Sequence, residues 1–144
     1  KGDAYLVPYD GDPTYIEETG YSLARLYEKL SKLKSKRVLV AMDSCFSGAG
    51  GRSVIAKGAR PLVAKMDEAE LPANVTVLAA SGGDQISNTW QEKGHGLFTY
   101  FFLKGLKEKG GDFKAVFEYL KPQVSKIARR EHNADQDPQW REGK

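Results

Sequence analysis

Few side chains in this sequence can carry covalent chemistry. Cys45 is the only cysteine. It stands in Asp43-Ser44-Cys45-Phe46-Ser47-Gly48. A thiol becomes a nucleophile where it is accessible and where a neighbour favours its ionised form. A lone cysteine is more commonly a small buried hydrophobe. The small polar residues from Ser44 to Gly51 favour the accessible alternative. Two histidines are available as bases. His95 lies between two glycines, in Lys93-Gly94-His95-Gly96, and His132 closes the charged run Arg129-Arg130-Glu131-His132. Asp43 stands two residues before the cysteine. Ser81 and Asp84 sit in a second small-residue loop, Ser81-Gly82-Gly83-Asp84-Gln85.

Both loops follow apolar runs. Val38 to Met42 is unbroken and β-branched in part, as suits a parallel strand covered on both faces. Val75 to Ala80 reads the same way. Ligands of open parallel sheets bind beyond the carboxyl ends of strands, which is where Cys45 and Ser81 fall. Ser22 is a fair N-cap for a helix reaching about Lys34, with Leu23, Leu26, Tyr27, Leu30 and Leu33 on one face. Leu97 to Leu106 reads as a buried helix. Asp112 caps a third, with Phe113, Val116, Phe117 and Leu120 on one face and Val124 and Ile127 beyond Pro122. The proline predicts a kink or restart near Lys121. Ala4 to Val7 reads as a short strand. Helices alternating with buried strands imply an α/β fold, a mainly parallel sheet with helices on both faces.

The loop Asp43-Ser44-Cys45-Phe46-Ser47-Gly48 after its strand resembles the nucleophile loop of caspase-like cysteine peptidases, specifically metacaspases and their prokaryotic relatives. It lacks the Gln-Ala-Cys pattern of caspases proper, so Asp specificity is not implied. Three further stretches resemble the family in the right order. They are Gly2-Asp3-Ala4-Tyr5-Leu6-Val7-Pro8-Tyr9-Asp10, Gly94-His95-Gly96-Leu97-Phe98-Thr99-Tyr100, and the tail Gln136-Asp137-Pro138-Gln139. The last departs from a Gln-Thr-Pro-Gln motif by Asp137.

The resemblance implies a caspase-like fold without its first strands. Residues 1–48 would end the large-subunit-like part, 49–73 would be a linker and 74–144 the small-subunit-like part. Cys45 would be the nucleophile of an endopeptidase. Asp43 would line a P1 pocket for Arg or Lys, with Arg able to pair bidentately, and Ser81 and Asp84 would stand on its lip. The base would be an upstream histidine. In caspases it lies about 50 residues before the nucleophile, and only 44 residues precede Cys45. It is therefore expected before Lys1, on a segment of the same domain that would complete the site. His95 is then a helix-entry residue and His132 a solvated one. Arg52, Lys57 and Arg60 in the linker are candidate self-cleavage points. The alternatives are a catalytically silent caspase-like interaction module and a redox-sensing thiol.

Composition limits the other classes. The 144-residue chain is 40% hydrophobic and 28% charged with a net charge of +3, ordinary for one soluble domain. Basic residues are scattered without interleaved aromatics, which argues against nucleic-acid binding. No apolar run approaches the roughly 20 residues of a membrane span. Gly48-Ala49-Gly50-Gly51 fails the dinucleotide pattern because Ser53 holds the third glycine position. Asp3, Asp10 and Asp12 do not have the spacing of a calcium loop. Acyl transfer by a cysteine needs no cofactor, and the sequence suggests no metal ligand set; calcium as an activator is compatible with the family. One cysteine precludes an internal disulfide and leaves the compartment open, with a soluble cytoplasmic protein favoured.

Overall fold

The computed structural model describes residues 4–44, 70–82 and 85–144. In chain order its elements are β1 Tyr5–Leu6, α1 Ile16–Thr19, β2 Tyr21–Ser22, α2 Leu23–Ser31, β3 Val38–Met42, β4 Val75–Ala79, β5 Thr89–Trp90, β6 His95–Gly96, α3 Leu97–Lys109, α4 Phe113–His132 and β7 Gln139–Glu142. The fold is mixed α/β.

The main sheet has the order β3-β4-β7. β3 and β4 are parallel, with Val38 opposite Val75 and Met42 opposite Ala79. β7 joins the other edge of β4 antiparallel, Leu78 facing Trp140. The expected parallel pairing is present, and half of the described sheet departs from it. Residues 139–142 are too short and polar to announce a strand. They pair because β4 offers a second edge.

Alternation along β4 builds two cores. Val75, Val77 and Ala79 pack with Leu23 and Tyr27 of α2 and with Val38, Val40 and Met42 of β3. Leu78 and Ala80 face the opposite way. They join Leu97, Phe98 and Phe101 of α3 and Val116, Phe117, Leu120, Val124 and Ile127 of α4. Helices therefore cover both faces, as the apolar runs require. α3 and α4 meet closely at Gly105, where an added Cβ would stand 2.9 Å from Val116 Cγ1.

The helix boundaries reflect local chemistry. Ser22 Oγ accepts from the Arg25 N–H at 3.3 Å, and Asp112 Oδ1 from the Ala115 N–H at 3.1 Å. Such caps are worth about 1 kcal/mol. α2 ends at Ser31, short of the expected Lys34, and Leu33 lies beyond it, 52% exposed. Its apolar face is complete at Leu30. α4 runs through Pro122 without the expected restart. Pro122 and Glu118, whose carbonyl loses its partner, are both exposed, so water can satisfy that carbonyl. Ala4–Val7 narrows to β1, which pairs antiparallel with β2. β5 and β6 form a hairpin that delivers the chain into α3.

Candidate active site

β3 and β4 end side by side, and the Ala80 N–H donates to the Met42 carbonyl at 2.9 Å. Both loop segments thus leave the same end of the sheet. Asp43 is the first residue after β3 and is exposed. Its carboxylate gathers three elements. Thr99 of α3 donates its backbone N–H (3.1 Å) and its hydroxyl (2.5 Å) to Oδ2. Ser87, from the segment after β4, donates its hydroxyl to Oδ1.

This arrangement explains how α3 begins. Its N-cap is Gly96, which has no side chain to satisfy the free amides of the first turn. Asp43 supplies the cap from a different element, by accepting the Thr99 N–H. A carboxylate at a helix N-terminus is also favoured by the helix dipole. Gly96 is required for the fit, because a Cβ there would collide with Asp43 Oδ2. Gly82, by comparison, is uncrowded, with the nearest neighbour of an added Cβ at 3.4 Å.

The segment after β4 is held by the chain's tail. Gln136 is fully buried. Its Nε2 donates to the Ala80 carbonyl at 3.1 Å. Its Oε1 accepts from the Asn88 backbone N–H at 2.9 Å and from the Asn88 side chain at 3.0 Å. Gln85 Nε2 donates to Asp137 Oδ2 at 2.8 Å, while Gln85 Oε1 accepts the backbone N–H groups of Asp137 and Gly82. Ser125 of α4 donates to Asp137 Oδ1 at 3.0 Å. The bonds from Gln85 and Ser125 hold the Asp137 carboxyl below the usual range. The tail thus holds Asn88, and its chain neighbour Ser87 donates to Asp43.

Of the sequence-predicted site residues, Asp43 lies at the carboxyl end of β3 as expected. Ser81 lies at the corresponding end of β4, is 2% exposed, and donates its hydroxyl to the Gln85 carbonyl at 3.3 Å. That hydroxyl is committed to its own turn. Cys45, Asp84, Arg52, Lys57 and Arg60 lie outside the described residues. His95 is exposed on β6, directly before α3, with its ring 6.4 Å from that of Tyr100. His132 was expected to be simply solvated. It is exposed, but its Nε2 donates to the Thr89 carbonyl at 2.8 Å, tying the end of α4 to β5.

Sequence reasoning missed Ser87, Thr99 and Gln136. A hydroxyl in a loop or in a first helical turn carries no pattern of its own. Gln136 did carry one, through the Gln-x-Pro-Gln tail. Among the described residues no group of three or more His, Cys, Asp and Glu could hold a metal ion. No described helix is long and apolar enough to cross a membrane. No protein-family model matches the chain, and no curated protein matches it.

Proposed function

We propose that this chain is the nucleophile-bearing part of a caspase-like cysteine endopeptidase of the metacaspase type, cleaving after Arg or Lys. The observation that supports this reading is Asp43. It is an exposed carboxylate at the end of a parallel strand, held by three hydrogen bonds and lying two residues before the only cysteine. An anionic group fixed beside a nucleophile suits a cationic P1 side chain.

In this reading the Cys45 thiolate attacks the scissile carbonyl. An upstream histidine, before Lys1, takes the thiol proton and returns it to the leaving amine. The backbone N–H of Cys45 is one donor to the developing oxyanion. Water then hydrolyses the acyl-enzyme, regenerating the thiol without a cofactor. Helices on both faces of the sheet support this reading, since such a domain would have that layering. The linker 49–73, cut at Arg52, Lys57 or Arg60, separates its two parts. Ser81 and Asp84 flank the P1 pocket.

The test uses the protein extended N-terminally through the expected histidine, with matched peptides carrying Arg, Lys or Asp at P1. Cys45→Ala abolishes turnover and His95→Ala retains most of it. Asp43→Asn lowers kcat/KM for basic P1 by about tenfold or more, since a hydrogen bond to a charged group is worth about 1.5–3 kcal/mol. Residues 1–144 alone give negligible turnover. Equal losses in His95→Ala and Cys45→Ala would move the base to His95. Absence of turnover in the extended protein would favour the catalytically silent interaction module.

A further inference from the structure

The hydrogen bonds on Asp43 restrict what it can still accept. An ionised carboxylate offers about four lone-pair positions, two on each oxygen. Thr99 fills both positions on Oδ2, with its N–H at 3.1 Å and its hydroxyl at 2.5 Å. Ser87 fills one on Oδ1. Among the described residues, the one remaining position is on Oδ1. A guanidinium binding as a fork needs a lone pair on each oxygen.

We infer that Asp43 receives its cationic ligand through a single N–H on Oδ1, and that the Thr99 hydroxyl determines this by occupying the second place on Oδ2. This rests on Asp43 being the P1 carboxylate. Lys and Arg then gain nearly the same from Asp43, because each contributes one charge-assisted bond. The fork that would set Arg apart is closed. Thr99 is thus a positioning residue that fixes how many contacts the charged end of P1 makes, as well as holding the start of α3.

The Ser87 and Thr99 positions make different predictions. Removing the Thr99 hydroxyl frees a place on Oδ2 and opens the fork. Removing the Ser87 hydroxyl frees a second place on Oδ1, which cannot form it. Thr99 keeps its backbone N–H in any substitution, so the cap on α3 survives in Thr99→Val.

The measurement is the ratio of kcat/KM for Arg over Lys at P1, in otherwise identical peptides, using the N-terminally extended protein. Wild type is expected to give a ratio within about tenfold of unity. Thr99→Val raises it by about tenfold or more, the worth of a second charge-assisted bond. Thr99→Ser and Ser87→Ala leave the ratio at the wild-type value. A ratio is read within one enzyme, so a partial loss of folded protein cancels. If Thr99→Val yields no folded enzyme, Thr99→Ala supplies the same comparison. A wild-type ratio above about a hundredfold, or a ratio unmoved by loss of the Thr99 hydroxyl, overturns the inference. If instead Asp43→Asn leaves the preference for basic over neutral P1 intact, the assignment of Asp43 to the P1 pocket has failed.

Discussion

β3 and β4 are five-residue parallel strands of nearly interchangeable composition, yet they live in different surroundings. In β4, Val75, Val77, Leu78 and Ala79 are all fully buried. In β3, Val38, Leu39 and Val40 are half-buried and Ala41 is exposed. The difference is lateral. β4 has β3 on one side and β7 on the other, with helices on both faces. β3 pairs with β4 alone among the described residues. The segments that follow the strands are held by different partners: the one after β4 by Gln136 and Asp137 of the C-terminal tail, and Asp43 after β3 by Ser87 and Thr99. An apolar run thus signals a strand, but its burial and the anchoring of its loop depend on neighbours from elsewhere in the chain.

The contrast can be broken by substitution. Leu78→Ala should cost about 2–5 kcal/mol, the usual range for a fully enclosed leucine. Val40→Ala, at a half-buried position of β3, should cost about 1 kcal/mol. Denaturant midpoints of the two variants check this, and equal losses would mean that β3 is as enclosed as β4. Gln136→Leu should cost about 2–4 kcal/mol, because it leaves the Ala80 carbonyl and the Asn88 N–H unpaired in the interior. A loss below about 1 kcal/mol would show that the tail does not fasten the loop after β4.

Asp137→Asn tests the same fastening more gently, at about 1 kcal/mol or less, since the residue is only partly buried. Its signature is pH dependence. The folded carboxyl titrates below its unfolded value. Its stabilisation is therefore present above the unfolded pKa and is lost as pH falls through the folded one. Urea midpoints on the acid side of about pH 5 should fall more steeply for wild type than for Asp137→Asn. Parallel curves would contradict the cause given for the shift. The smallest effect is expected at Glu28. Its 2.6 Å pair with Lys32 is highly exposed, so Glu28→Gln should leave the midpoint unchanged within error.

The strands and helices that build the two cores were legible because their apolar residues recur at regular periods. Leu23, Tyr27, Val116, Leu120, Val124 and Ile127 announce helical faces by their spacing alone. Ser22 and Asp112 announce where two helices begin. α3 does not announce its start, because its cap is Asp43, 54 positions upstream of its first residue. β7 was silent for a related reason. Gln139-Trp140-Arg141-Glu142 has no alternation, and its strand character comes from the edge of β4. The reading of Asp43 as a pocket residue named its place at the strand end but not its structural duty. Nothing local distinguishes a carboxylate that waits for a ligand from one that also closes a helix. Gln136 shows the converse: its tail motif was noticed, but the burial of its amide between loop and sheet is a property of the tertiary arrangement alone.

The antiparallel return of β7 also bears on how this domain is made. β4 lies at residues 75–79 and completes its second ladder only with residues 139–142. The loop after it waits on Gln136 and Asp137. During synthesis, the central strand is therefore exposed along one edge until nearly all of this sequence has emerged from the ribosome. Pairings so distant along the chain form late, and an apolar strand left open is a template for wrong partners. The nascent polypeptide carries its most aggregation-prone edge for about 60 residues of elongation, a few seconds to about ten at ordinary rates. The parallel partner β3 and the helix α2 have emerged before it, so they can shield one edge and one face, while the edge that β7 pairs and the face that α3 and α4 cover stay open until those elements emerge.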